Sequence, residues 1–257
     1  MNVQQKLLTI NPYSRPDILL KKLTNIVVHW VGNAGSSAVA NRNYFEGLKE
    51  KKAFASSHYI VGLDGEIIQC IPDTEVAYHA NQANNYSLGI EVCHQDWEGK
   101  FGNKTYNALV ELLATLCKKY ELGVEAIIRH YDVTGKLCPK YYVQNPRAWQ
   151  ALKIDVDKAL KRLDVDTELN NAVNKLITAG IKMNAVNWNR LDRMDMKYAQ
   201  VLLERLGTYL NGSTNYYAAL DALVDRGIIA DRTLWDAKTF KAEYVRIVII
   251  RVAALIS

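Results

Sequence analysis

Ser57-His58-Tyr59-Ile60-Val61-Gly62-Leu63-Asp64-Gly65-Glu66-Ile67-Ile68-Gln69-Cys70-Ile71 reads as two β-type runs folded about Asp64-Gly65. Asp-Gly between such runs is the strongest short-range hairpin signal. This fixes one antiparallel pair, and the flanking sequence says what surrounds it. Upstream, Thr24-Asn25-Ile26-Val27-Val28-His29-Trp30-Val31 is β-branched and apolar without a break, which predicts a strand buried on both faces. Residues 38–52 fit a helix with Ala38, Tyr44, Phe45 and Leu48 inward. Downstream, Ser87 to Cys93 predicts another strand, with Ile90 and Val92 on one face and Glu91 and Cys93 on the other. Residues 103–121 form an amphipathic pattern through Tyr106, Leu109, Val110, Leu113, Leu116 and Cys117. Glu125 to Arg129 reads as a short strand. Asn145-Pro146 reads as an N-cap and first helical residue of a helix running to about Leu163. Residues 1–23 are polar, with turns at Asn11-Pro12 and Arg15-Pro16. Strands interleaved with helices around an antiparallel pair predict an α/β domain with a mixed central sheet flanked by helices.

The bulk composition allows two domains. The chain has 257 residues, 49% hydrophobic and 23% charged, enough for two ordinary cores. Its net charge of +5 is dispersed, without the basic stripe of a nucleic-acid binder. A mild positive balance suits an anionic polymer such as a cell wall without demanding one. No apolar stretch approaches the length of a membrane span, so no membrane insertion is expected. The N-terminus lacks a charged region followed by an apolar run, so no secretory signal is read. Cys70, Cys93, Cys117 and Cys138 then read as free thiols in a protein made in a reducing cytosol.

Residues 164–257 carry no strand pattern and repeat themselves with an offset of 47, from Ala172 to Ala219. Ala172-Val173-Asn174-Lys175-Leu176-Ile177 aligns with Ala219-Leu220-Asp221-Ala222-Leu223-Val224, Gly180-Ile181 with Gly227-Ile228, and Trp188 with Trp235. Each copy, about 167–210 and 214–257, predicts a helix, a Gly-Ile turn, a Trp-bearing loop and a second helix, the second helices at about 193–210 and 238–256. Gly180 and Gly227 are placed as helix C-caps. Two readings of the tryptophans stand side by side. They are core residues of a plain helical domain, or Trp188 and Trp235, with Tyr216 and Tyr217, offer flat faces to sugar rings. The boundaries are therefore 1–163 for the α/β domain and 164–257 for a small all-α domain of two helix-hairpin repeats.

The chemistry concentrates in Arg129-His130-Tyr131-Asp132-Val133-Thr134-Gly135-Lys136-Leu137-Cys138-Pro139. Imidazole and thiolate are ligands that zinc prefers. The His130–Cys138 spacing is too wide for one helix face and suits a loop folding back over a metal. A catalytic zinc needs three protein ligands and an open position, and His29 at a strand's end is a candidate third. A carboxylate such as Glu91 would take a proton from attacking water, and Lys136 would face a developing oxyanion. Singly, each has an ordinary reading too: a core histidine for His29, surface ion pairs for Glu91 and Lys136. The polar, aromatic loop Ala77 to Asn85 reads as a binding loop. His58 lies on a strand beside these residues. Cys93 reads as packing and His94 as solvent-facing.

Together these segments resemble zinc-dependent N-acetylmuramoyl-L-alanine amidases of the type 2 class, a family that includes phage endolysins, bacterial autolysins and peptidoglycan recognition proteins. The resemblance rests on Ile26-Val27-Val28-His29, Ser57-His58-Tyr59-Ile60-Val61 with Asp64-Gly65-Glu66-Ile67-Ile68-Gln69, Ala77-Tyr78-His79-Ala80, Ser87-Leu88-Gly89-Ile90-Glu91, and His130-Tyr131-Asp132 through Lys136-Leu137-Cys138-Pro139, in family order. It implies the type 2 amidase (peptidoglycan recognition) fold over the first domain. It implies one Zn²⁺ held by His29, His130 and Cys138, with Glu91 and Lys136 catalytic. His79 stands where the family has a groove histidine, and Tyr78 and Asn84 are further candidates for substrate contact. Some members place a tyrosine just before the hairpin, where Ser57 stands, so that role is not carried over.

The implied function is peptidoglycan hydrolysis at the amide between N-acetylmuramic acid and L-alanine, by zinc-activated water. A bacteriophage endolysin against a Gram-positive wall is the form that fits, with the C-terminal repeats holding a cell-wall polymer. Such a protein is made in the cytoplasm and acts on the wall after release. The alternatives are a non-catalytic peptidoglycan-binding recognition module, which would lack the thiolate ligand, and a structural zinc site, which would need four closed ligands.

Overall fold

In a computed structural model, described here for residues 2–191, 194–212 and 215–256, the Asp-Gly hairpin forms. β3 (Tyr59–Val61) and β4 (Ile67–Gln69) run antiparallel with Tyr59 opposite Gln69. β1 (Val3–Gln5), β2 (Asn25–Trp30), β5 (Ser87–Val92) and β6 (Ile127–Arg129) join them in a six-stranded sheet, order β1-β4-β3-β5-β2-β6. All pairings except β3–β4 are parallel, so the sheet is mixed. The strand not predicted is β1 (Val3–Gln5), an edge strand beside β4. Its three residues are half-buried or exposed, so no apolar alternation marks it. Pairing with β4 holds it, with Val3 alone packed against the core.

Alternation along the strands decides what each face meets. Ile26, Val28, Leu88, Ile90 and Val92 pack with α2 (Asn103–Lys119) and the first turns of α5 (Pro146–Thr178), through Leu109, Leu113, Leu116, Trp149 and Leu152. The opposite face, including Ile60 and Cys93, meets Ala38, Phe45 and Leu48 of α1 (Ala38–Lys51). Tyr44 was expected inward but is 53% exposed. Asn41 takes the inward position, its amide satisfied by Ser36 Oγ at 2.8 Å and Ser37 O at 2.9 Å. α5 does not stop at Leu163. Its apolar positions continue through Leu169, Ala172, Val173 and Leu176 in a second core, and no Gly or Pro interrupts it.

His58 is fully buried, and both ring nitrogens are used on backbone. Nε2 lies 2.8 Å from Glu75 O, and Nδ1 accepts the Gly89 N–H at 2.9 Å. That arrangement is structural and holds a neutral ring. Burial pushes His58 down to about 4. The unfolded chain, with an ordinary histidine near 6.5, takes the proton first as pH falls. Its contribution is therefore full above about pH 6.5 and declines toward pH 4, by on the order of 3 kcal/mol. Urea midpoints should fall between pH 7 and pH 5 in the parent chain and fall less steeply in His58→Gln.

The chain divides into two compact units, Met1–Leu163 and Asp164–Ser257. The second is helical, and its duplication recurs in its hydrogen bonds. Ile181 N–H reaches Leu176 O at 3.1 Å and Gly180 N–H reaches Ile177 O at 2.9 Å. Ile228 N–H reaches Leu223 O at 2.9 Å and Gly227 N–H reaches Val224 O at 2.8 Å. Both glycines have positive φ, as this helix end requires. Trp188 ends α6 (Ala185–Trp188) and Trp235 lies in α9 (Thr233–Asp236). Each is 6% exposed and packed in the core, so neither offers a face to a sugar. Tyr216 is buried as well, its hydroxyl donating to Trp235 O, while Tyr217 is exposed. The second helices, α7 (Ala199–Asn211) and α10 (Ala242–Ala254), begin later than expected. Asp195 caps a 3₁₀ turn at Met196–Tyr198 before α7, and Lys238 takes a left-handed φ after α9. Positions 192 and 193 of the first expected repeat, the latter also the start of its expected second helix, and positions 214 and 257 of the second repeat lie outside the described residues.

α7 and α8 (Tyr216–Asp225) cross at Gly207. A Cβ there would stand 2.3 Å from Ala219 Cβ and 2.5 Å from its Cα, so backbone itself must move. Gly207→Ala gains about 1 kcal/mol in helix propensity. Overpacking costs about 1–3 kcal/mol, and a rigid neighbour places it at the upper end. A net loss of stability is expected in thermal unfolding, larger for Gly207→Val. A stabilised Gly207→Val would contradict the close crossing.

Candidate metal centre and active site

Three adjacent parallel strands end at the site. β5 places Glu91 opposite His29 of β2, and β6 places Arg129 opposite Val28. His130 follows at once and begins α3 (His130–Thr134). The carboxyl ends of parallel strands are where open α/β sheets form their crevices. The start of α3 is held by Asp132, which accepts the Arg129 N–H at 2.8 Å and the Arg129 guanidinium at 2.6 Å. The chain turns at Gly135 and returns until Tyr131 N–H donates to Cys138 O at 2.9 Å. That bond closes the loop and brings Cys138 back beside His130. The segment read as a loop is thus one helical turn and a return strap.

His29, His130 and Cys138 are buried, and each offers a ligand atom within 4.8 Å of the others. Cys138 Sγ lies 3.8 Å from His29 Nδ1. The His29 and His130 ring centroids are 4.6 Å apart. His130 Nδ1 is buried with no hydrogen-bond partner. Burial holds His29 well below the ordinary histidine range and His130 at about 4, so both rings keep a free lone pair. Burial pushes the Cys138 thiol up to about 12. Two neutral imidazoles, an orphaned ring nitrogen and a thiol that needs a cation to ionise fit a divalent metal. An N₂S set with one side open is the donor set of a catalytic zinc site.

A cleft of about 580 Å³ opens on these residues. Glu91 and Lys136 border it, with Tyr78, His79, Trp30 and Leu137. Glu91 is half-buried, its Oε2 inaccessible and unpartnered. Burial pushes its carboxyl up to about 8, with the Lys136 charge opposing. Lys136 is exposed at the rim. His79 borders the cleft, but one ring nitrogen is turned to His29 at 3.1 Å. Asn84 is not at the cleft. Its Oδ1 accepts the N–H groups of His79 at 2.9 Å and Ala80 at 2.7 Å, clamping the 79–84 turn. Cys93 is buried on α1's side of the sheet, its thiol raised to about 12 by burial, and takes no part. His94, expected in solvent, is fully buried and stacked on Trp30 with centroids 4.6 Å apart. Trp30 and Leu137 went unnoticed as cleft residues. Both adjoin a metal-ligand candidate in sequence, which is the signal that could have found them.

Residues 20–141 match the family model described as N-acetylmuramoyl-L-alanine amidase. Over that span the first unit is similar to the N-acetylmuramoyl-L-alanine amidase family. A probable N-acetylmuramoyl-L-alanine amidase of Bacillus licheniformis is 37% identical over 185 residues, covering 67% of this chain and 52% of its own length. The N-acetylmuramoyl-L-alanine amidase CwlL of the same species is 34% identical, covering 62% and 48%. The chain thus spans about half the length of the curated relatives it matches. A mutant endolysin from Bacillus subtilis superposes with a TM-score of 0.52 at 28% identity, covering 60% of this chain and 98% of that one. PlyL gives 0.55 at 25%, covering 62% and 99%. Among the described residues, no helix is long and apolar enough to cross a membrane.

Proposed function

We propose that the chain is a zinc-dependent peptidoglycan hydrolase cleaving the amide between N-acetylmuramic acid and L-alanine, in the manner of an endolysin acting on a Gram-positive wall. The observation that carries it is the convergence of His29, His130 and Cys138 in the lining of the cleft that Glu91 borders. His29, His130 and Cys138 would hold one zinc ion. Zinc there supplies Lewis acidity toward the scissile carbonyl and makes water a nucleophile at neutral pH.

The chain's own groups do the rest. Glu91 takes the proton of the attacking water on its unpartnered carboxylate and returns it to the leaving alanine nitrogen. A carboxyl raised by burial is suited to hold a proton between those two events. Lys136, a cation at the rim, offsets the negative charge that develops on the carbonyl oxygen. Tyr78 forms a wall of the cleft against the stem peptide, its ring packed edge-on against Phe54. The second unit would hold a cell-wall polymer through its surface, since its tryptophans are in the core. Relatives named as amidases and an endolysin support this assignment for the first unit.

Zinc analysis together with turbidity loss on purified walls tests the proposal. One zinc per chain with clearing supports the enzyme. Wall binding without clearing would mean a recognition module, and zinc retained without clearing would mean a structural site.

A further inference from the structure

We infer that His79 is a positioning residue that fixes the tautomer of His29 and thereby builds the metal site, rather than a contact for substrate. The inference rests on the metal assignment above. The two nitrogens of the His29 ring face different groups, Nδ1 the Cys138 Sγ at 3.8 Å and Nε2 the His79 Nδ1 at 3.1 Å. The two rings stand nearly perpendicular, at 89°. A ligand nitrogen must be bare, and the nitrogen beside the thiol can be bare only if the other carries the proton.

The proton positions can be traced outward from that contact. His79 Nε2 lies 3.4 Å from both Ser87 O and Ser87 Oγ. The carbonyl can only accept. The Ser87 hydroxyl spends its hydrogen on Ala83 O at 2.5 Å, so its oxygen is left to accept as well. His79 Nε2 therefore carries the proton. In the neutral ring, Nδ1 is then bare and accepts from His29 Nε2–H. That leaves His29 Nδ1 bare and facing Cys138.

The backbone is shaped to keep this ring in place. A Cβ at Gly89 would lie 2.5 Å from His79 Cγ, so β5 leaves a side-chain-sized gap that the imidazole fills. Asn84 Oδ1 holds the His79 N–H at 2.9 Å, fixing the start of the turn. Hydrogen-bond partners behind metal ligands typically contribute 10–100-fold to metal affinity.

The experiment has two arms on the full chain. Long-range ¹H–¹⁵N correlation of the metal-free protein should show His29 and His79 both protonated at Nε2. Zinc affinity should then be measured by competition with a chromophoric chelator for the parent, His79→Leu and His79→Asn. Asn places its amide oxygen near the position of Nδ1 and keeps the acceptor. His79→Leu should bind zinc about 10–100-fold more weakly, and His79→Asn should lie within about 3-fold of the parent. Protonation of His29 at Nδ1, equal binding by His79→Leu, or Asn as weak as Leu would each overturn the inference. Failure of the parent chain to bind zinc would instead overturn the metal assignment itself.

Discussion

Glu91→Gln should slow amide hydrolysis by about 10²–10⁴-fold and leave the zinc content of the chain unchanged. Glutamine keeps the shape and one carbonyl oxygen but cannot carry a proton between water and the leaving nitrogen. Glu91 sits on β5 in register with His29, with an inaccessible, unpartnered carboxylate oxygen. It shares a cleft with His29, His130 and Cys138 but is not in the set whose ligand atoms converge. Replacing an unpartnered carboxylate also removes a desolvated group, so the variant should be no less stable than the parent. Turnover on purified walls, metal content and thermal unfolding on one preparation check all three statements. Zinc lost together with activity would make Glu91 a ligand rather than a proton carrier.

Cys138→Ala should lower zinc affinity by more than about 100-fold, beyond the effect of losing a group behind a ligand. Activity should fall to background at ambient zinc. The thiol is buried, and burial pushes it up to about 12, so metal uptake near neutral pH must displace its proton. Zinc titrated into the metal-free parent in weak buffer with an indicator dye should release about one proton per ion. Cys138→Ala should release none. Chelation of the parent should abolish turnover, and added zinc should restore it. Unchanged affinity in Cys138→Ala would remove this thiol from the site.

The parts of this fold legible in the sequence are those with a strong local period or a turn requirement. The Asp64-Gly65 hairpin, the buried β2 run and the amphipathic α2 all carry such signals. β1 does not, because only Val3 of its three residues packs against the core, too short a run to show a period. The end of α5 was misplaced because its apolar pattern changes partners within the helix without a breaker residue. The site was legible as residue types, since His, Cys, Glu and Lys in that order are chemically specific. Their orientation was not. Whether His79 faces the cleft or His29 depends on the gap at Gly89, and whether Asn84 faces ligand or backbone depends on the turn it caps. The tryptophans of the repeats show the same limit, because burial is decided by partners far along the chain.

The most direct measurement is the chemistry of the products released from purified walls by the zinc-loaded chain. Amine labelling should find new free amino termini on alanine, matching the stem peptides released, with no new reducing sugar ends. New reducing ends, or peptides released without an alanine amino terminus, would contradict cleavage at the amide between N-acetylmuramic acid and L-alanine.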